Sequence, residues 1–323
     1  MLKAAICAIQ PFDLRRSHKT SGSTGHLINR SAPNCWSCGH ATIRSGMAIR
    51  LIAIDLDGTL LNSRQEISQP NREALQAVAR RGIQLLITTG RRFHSARPLL
   101  DSLDCPVTVV ASNGALIANL AGNVFHRDFL PRKTAEQVLE VAIEYRPYAV
   151  AIFHMPGQGQ VMMQHNASPD GPLRWYLKTA PESLAQVADL PASLPEDPVQ
   201  IMFGGSPALL EPLETLLRLS PSNEHIHLTW TKYFTRDVSL LDVMNRSCSK
   251  GNSLGWWLNR EGYDASEVMA IGDNYNDLEM LQRVGCPVVM GNASPDLHRD
   301  GWHVTLSNDE NGVEAALRTF KLL

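Results

Sequence analysis

A chain of 323 residues with 44% hydrophobic side chains can form one large domain or two smaller ones with a sizeable core. A formal net charge of -2 gives no reason to expect nucleic acid or an anionic membrane as partner, and no run of eighteen apolar residues marks a membrane span. Six cysteines, Cys7, Cys35, Cys38, Cys105, Cys248 and Cys286, are too few and scattered for a disulfide scaffold, which fits a reducing cytoplasm.

Residues 1–46 differ from the rest. They carry Lys3, Arg15, Arg16, Lys19, Arg30 and Arg44 against the single acid Asp13, with no sustained helical or strand period. Such a segment buries little apolar surface and reads as a disordered N-terminal extension. It also resembles an organelle transit peptide, and a start at Met47 is the favoured alternative. Cys35-Trp-Ser-Cys38, with His26 or His40, has half of a zinc-site spacing, but two incidental thiols are the better reading.

From Leu51 the chain follows the grammar of a parallel sheet. Leu51 to Ile54 is a short apolar run that reads as a buried strand and leads into Asp55, Asp57 and the turn residue Gly58. A helix is predicted from Pro70 to Arg81, then a strand over Ile83 to Thr88 ending in Thr89-Gly90-Arg91. A second helix over Phe93 to Leu103 and a strand over Val107 to Ala111, ending in Ser112-Asn113-Gly114, continue the alternation. The pattern then changes. A hairpin around Ala121-Gly122-Asn123, a helix over Pro131 to Tyr145 and strands over Ala149 to His154 and Gln160 to Gln164 follow. Thr179 to Asp197 reads as irregular. A strand at Val199 to Phe203, a helix at Pro207 to Leu219 and strands at His225 to Thr231 and Val238 to Val243 complete an inserted α+β module. Parallel grammar resumes with a helix at Asn252 to Arg260, a strand at Val268 to Ile271 ending in Gly272-Asp273-Asn274-Tyr275-Asn276-Asp277, and a helix at Leu278 to Val284. Strands at Pro287 to Met290 and His303 to Leu306 and a helix at Gly312 to Phe320 close the chain.

Ligands of open α/β sheets bind beyond the carboxyl ends of the strands, and these polar turns lie there. Three carboxylates crowded at one edge repel unless a cation sits among them, and a hard ion such as magnesium with oxygen ligands answers that need. Lys250 and the Thr89 hydroxyl add donors suited to phosphate oxygens, and backbone amides of the turn after Asp57 can add more. A carboxylate can also serve as nucleophile, and a second carboxyl can act as acid and then base, so Asp55 and Asp57 fit that division.

With these residues in view, the chain resembles the haloacid dehalogenase-like superfamily of phosphohydrolases. Asp55-Leu-Asp57-Gly-Thr is similar to its first motif, Thr89-Gly90-Arg91 to its second, Lys250 to its third, and Gly272-Asp-Asn-Tyr-Asn-Asp277 to its fourth. Asn113-Gly114-Ala115, the insertion and Gly291-Asn292-Ala293 resemble the Cof-type branch with a C2B cap. The resemblance implies a Rossmann-like core over 47–130 and 244–323 and a cap over 131–243. It further implies Asp55 as nucleophile and metal ligand, and Asp57 as acid/base, binding metal through its backbone carbonyl. Thr89, Lys250 and Asn276 would hold the phosphoryl group, with Leu56, Gly58, Gly90, Arg91, Asn113 and Gly114 around substrate. Asp273 and Asp277 would serve the magnesium, Asp277 by orienting Lys250 or a metal water; a helix N-terminal acid that stabilises the dipole is the alternative reading of Asp277. For Arg91, substrate binding and pairing with a core acid stand at even odds. His154, Met155, Gln164, His165, Trp175 and Tyr176 are candidates for selecting substrate, though Met155 and Trp175 read more simply as cap core. The function implied is a cytoplasmic, magnesium-dependent phosphatase of small phosphorylated metabolites, acting through an aspartyl-phosphate, as monomer or homodimer. A phosphomutase and a catalytically weak phosphometabolite-binding regulator are the alternatives. One departure from the family pattern is Asn245-Arg-Ser-Cys-Ser, which lacks the proline or glycine common before the lysine.

Overall fold

The structure, a computed structural model, describes residues 48–155, 160–165, 173, 184–233 and 238–323. The N-terminal segment with Cys35 and Cys38, and the candidates Trp175 and Tyr176, lie outside the described residues.

The central strand is β1 (Leu51–Asp55), buried along its whole length. Its neighbours are β2 (Gln84–Thr88) and β12 (Val268–Gly272), both parallel to it. β3 (Thr108–Ala111) lies beyond β2; β13 (Cys286–Val289) and β14 (His303–Val304) lie beyond β12. An antiparallel hairpin, β4 (Leu116–Asn119) and β5 (Val124–Arg127), extends the β3 edge.

Strand side chains alternate between faces, so each face of β1 has its own cover. Ile52 and Ile54 pack with residues of α1 (Gln69–Arg80), α2 (Phe93–Leu100) and the terminal helix α7 (Gly312–Thr319). Leu51 and Ala53 pack with α5 (Lys250–Glu261) and α6 (Leu278–Arg283). Asp55 shares the parity of Leu51 and Ala53, so it emerges at the strand end on the side of α5. Local chemistry sets several helix ends. Ser68 caps α1, with its side chain accepting from Asn71 N, and Pro70 sits in the first turn. Ser249 caps α5, accepting from Asn252 N at 3.1 Å, and Gly262 closes that helix with φ 73°. The helix predicted from Asn252 therefore starts at Lys250.

The second sheet has the order β10-β11-β9-β6-β7-β8 among the described residues. Its strands are β6 (Ala149–Ile152), β7 (Val161–Gln164), β8 (Leu184–Val187), β9 (Gln200–Gly205), β10 (Ile226–Tyr233) and β11 (Val238–Asn245). Pairing is antiparallel except between β7 and β8. One face is covered by α3 (Arg132–Val141) and α4 (Pro207–Leu219), through Val138, Leu139, Leu210 and Leu213. The other carries Val150, Ile152, Met163, Met202, Leu240 and Met244 into a cluster with Ala115 and Cys248, at the carboxyl-end side of the first sheet. Strand β8 falls where an irregular segment was predicted. It is a four-residue edge strand whose side chains are mostly half-buried, so it lacks a strong apolar alternation. The helix predicted to Tyr145 stops at Val141 and passes into a tighter turn over Ile143–Tyr148 that contains Pro147. No helix among the described residues is long and apolar enough to cross a membrane.

Candidate active site

Four polar turns converge at the carboxyl ends of β1, β2, β3 and β12. The turn after β1 brings Asp55 and Asp57, and the turn after β12 brings Asp273 and Asp277. Carboxylate oxygens of Asp55, Asp273 and Asp277 lie within 4.8 Å of one another. Lys250 at the start of α5 inserts between two of them. Its Nζ donates to Asp55 Oδ1 and to Asp277 Oδ1, each at 2.6 Å, and all three side chains are nearly or fully buried. The other Asp55 oxygen, Oδ2, is buried and has no hydrogen-bond partner.

The electrostatics follow from that packing. Burial pushes the Asp55 carboxyl up to about 7; Asp277 adds to the rise and Lys250 opposes it. Burial would pull the Lys250 ammonium down, but Asp277 and Asp55 outweigh it and hold the group above its ordinary value. Asp273 is half-buried, and the protein around it, with Asp55 and Asp277, drives its carboxyl well above the usual range. Two of the three acids share Lys250 as their hydrogen-bonded cation, the third accepts from Thr59, and one Asp55 oxygen is left without a partner. That donor set, all hard oxygens at close range, fits a divalent cation such as magnesium.

Close approach fixes the turns. Gly58 has φ 83°, and a Cβ there would fall 2.3 Å from Asp273 Oδ2. Only glycine allows the two turns to meet. Thr59 Oγ1 donates to Asp273 Oδ1 at 3.0 Å. At Gly272 a Cβ would meet the Asp277 side chain at 2.6 Å, so Asp277 folds back over its own turn. Its Oδ2 accepts from the backbone N–H groups of Asp273 and Asn274, each at 3.1 Å. Asp277 thus accepts from Lys250 and from the amides of its own turn at once.

Asp57 is placed differently. Its side chain stands outside the three-acid cluster and pairs with Arg91, whose Nε donates to Oδ2 at 2.7 Å and Nη2 to Oδ1 at 2.5 Å. Arg91 also donates to Gln65. Thr89 is fully buried, and its hydroxyl accepts from Arg91 N at 3.0 Å. Asn113 and Asn276 meet through Asn276 Nδ2 donating to Asn113 Oδ1 at 2.9 Å. Gly90 and Gly114 lie against Asn113 and the start of α5 respectively.

Of the substrate-selecting candidates on the second module, His154 stacks on His94 with ring centroids 5.5 Å apart. Met155 packs on the apolar core of that module, and Gln164 accepts from Leu190 N at 3.4 Å. Several contacts were not anticipated from sequence. Thr59 on Asp273, Gln65 on Arg91 and Asn292 donating to Gly58 O at 2.8 Å are polar loop residues to which the sequence assigned no contact. Asp242 carried a signal: a lone acid inside the apolar run Leu-Leu-Asp-Val-Met.

A family model for haloacid dehalogenase-like hydrolases matches residues 52–317. The phosphatase YwpJ of Bacillus subtilis is 30% identical over 286 residues, which cover 82% of this chain and 97% of that protein. The pyridoxal phosphate phosphatase YbhA of Escherichia coli is 29% identical over 257 residues, covering 76% and 89%. Among solved structures, BT1666 from Bacteroides thetaiotaomicron, from a study of phosphatases of this superfamily, aligns with a TM-score of 0.71 at 26% identity, covering 87% of this chain and 98% of that one. The match spans both modules and all four polar turns, and the chain belongs to the haloacid dehalogenase-like hydrolases of Cof type.

Proposed function

We propose that the enzyme is a magnesium-dependent phosphatase of small, sugar phosphate-like metabolites, working through an aspartyl-phosphate on Asp55. The observation that carries this reading is the buried acid cluster, in which Lys250 holds one Asp55 oxygen and leaves the other unpartnered. Relatives named as phosphatases support the reaction class. Asp55, Asp273, Asp277 and the Asp57 backbone carbonyl would hold the magnesium. Bound there, the ion supplies charge neutralisation for a dianionic ester approaching a carboxylate.

The residues divide the chemistry. Lys250, Thr89 and Asn276, with backbone groups of Leu56, Gly58 and Gly90, hold the phosphoryl oxygens. Asp55 Oδ2 attacks phosphorus. The new O–P bond forms as the ester P–O bond breaks, and the electron pair leaves on the alkoxide. The Asp57 carboxyl protonates that alkoxide, with Arg91 orienting Asp57. The Asp57 carboxylate then takes a proton from water, whose oxygen attacks phosphorus. Phosphate leaves and the Asp55 carboxylate is restored.

Residues 131–243 act in this reading as a cap over the core, hinged near 129–131 and 242–245, that excludes water and selects the leaving group. The site of action is a reducing cytoplasm, in keeping with the unpaired thiols of Cys105, Cys248 and Cys286. Hydrolysis of p-nitrophenyl phosphate with added magnesium tests the proposal. The wild type turns over, chelation stops it, and Asp55→Asn abolishes it; unchanged turnover in Asp55→Asn overturns the assignment.

A further inference from the structure

Asn113 stands where four parts of the chain meet. Its backbone N–H donates to Thr89 O at 2.9 Å, and Ser112 N donates to Arg91 O at 2.9 Å, lacing this turn to the one after β2. Ser253 of α5 donates through its hydroxyl to Gly114 O at 2.7 Å. Ser112, Asn113 and Gly114 have φ of 50°, 53° and 113°. Three successive left-handed residues, one of them serine, persist only where the surroundings over-determine them.

The side chain of Asn113 faces both ways. Its Oδ1 accepts from Asn276 Nδ2 at 2.9 Å, and its Nδ2 donates to Asp242 Oδ2 at 2.9 Å. Asp242 lies on β11 of the second sheet, and its other oxygen accepts from Gln200 Nε2 of β9 at 2.7 Å. Asn113, Asp242 and Gln200 are 1%, 2% and 2% exposed. The sheet itself does not need this acid. Its neighbours on that face, Leu240 and Met244, are apolar, and a buried carboxylate is costly unless donors surround it.

What the carboxylate adds is direction. An amide can sit either way round, because its two ends are nearly the same shape. Ionised, as it is above about pH 7, the Asp242 carboxylate can only accept. Asp242 therefore requires the N–H end of Asn113, which leaves the Asn113 oxygen toward Asn276. That oxygen in turn requires the N–H end of Asn276. One N–H of Asn276 is used in this bond, and the second stays available to the phosphoryl site.

We infer that Asp242 is a positioning residue for phosphoryl binding, acting from the second module through Asn113 to set the orientation of the Asn276 amide. The inference rests on the assignment of Asn276 as a phosphoryl contact. Asp242 sits where β11 returns to the core, and losing its contact would free both amides to turn, so phosphate affinity is tied to how that end of β11 is seated.

The test uses the full-length enzyme with magnesium, p-nitrophenyl phosphate as substrate and inorganic phosphate as competitive inhibitor. Asp242→Leu raises KM and the phosphate inhibition constant roughly tenfold, with a smaller change in kcat, since one hydrogen bond's worth of orientation is lost. Asp242→Asn falls between wild type and Asp242→Leu: its Oδ1 can still accept from Asn113 while its N–H end meets a turned Gln200, but an amide no longer enforces that orientation. The Gln200 Oε1 is buried without a partner and would then gain one. In an Asn276→Ala background, Asp242→Leu has no further effect on the inhibition constant. Should Asp242→Leu fail to fold, Asn113→Ala reads the same link and shows the same non-additivity with Asn276→Ala. An unchanged inhibition constant, or effects of Asp242 and Asn276 that add, overturns the inference while leaving the phosphatase reading intact. A wild type that turns over no phosphate ester overturns that reading and this one with it.

Discussion

Lys250 is fully buried between Asp55 and Asp277, where desolvation alone would pull its ammonium below its ordinary value. Its charge persists because two carboxylates touch it at 2.6 Å. Removing one partner of such a group leaves the others uncompensated. Lys250→Met should therefore cost about 3–5 kcal/mol of stability, beyond losing activity. Magnesium should restore part of that loss, and more than it adds to wild type, since a cation would replace the missing charge; denaturant melts with and without the ion measure it. Gly58 offers a sharper test of geometry. Gly58→Ala places a methyl group against the Asp273 carboxylate on a strained backbone. A shift of about 1 Å in that acid should lower kcat/KM roughly hundredfold while circular dichroism shows the fold retained. At this scale much was legible, because acids at strand ends announce themselves. The partner of each acid was not: Arg91 stood at even odds between substrate and a core acid, and only packing shows that it covers Asp57.

The element that delivers Lys250 is α5, and its start depends on Ser249. Ser249→Ala removes the side-chain acceptor for Asn252 N and should cost about 1 kcal/mol. It should also reduce turnover, because the frayed turn carries Lys250. Thermal melts and steady-state kinetics check the two effects separately. Strand β11 gives a pH-dependent case. Burial raises the Asp242 carboxyl from 3.8 to about 7, against the opposing pull of its hydrogen bond from Asn113. The folded state therefore holds this proton over a range where the unfolded chain has released it. Stability from this group is highest at low pH, falls as pH rises from about 4 to about 7, and stays reduced above. Asp242→Asn does not titrate. The melting temperature of that variant relative to wild type should thus rise between about pH 5 and about pH 8, and a constant difference would refute the assignment. Element types were readable where burial is one-sided or complete, as in β1 and α4. Boundaries were set by features that periodicity does not carry. Ser249 moves the start of α5 two residues earlier, and β8 exists because β7 offers an edge to pair with rather than because its own pattern is strong.

Across the whole molecule, the sequence order of the motifs was enough to foresee a parallel core interrupted by an α+β insertion, since each strand-end turn needs its neighbour to complete the acid cluster. The link between the two sheets was not foreseeable. Gln200, Asp242, Asn113 and Asn276 are separated by up to 163 positions, and nothing in their local spacing relates them. Only folding brings an acceptor from β11 against the turn after β3. The central claim is that Asp55 takes the phosphoryl group. Its most direct test uses Asp57→Asn with magnesium and p-nitrophenyl phosphate, whose good leaving group needs no proton, so the first step proceeds while water activation fails. Peptide mass spectrometry after acid quench should find a phosphoryl group on Asp55. A phosphoryl group on another residue, or steady release of phosphate with none on the protein, would contradict the account.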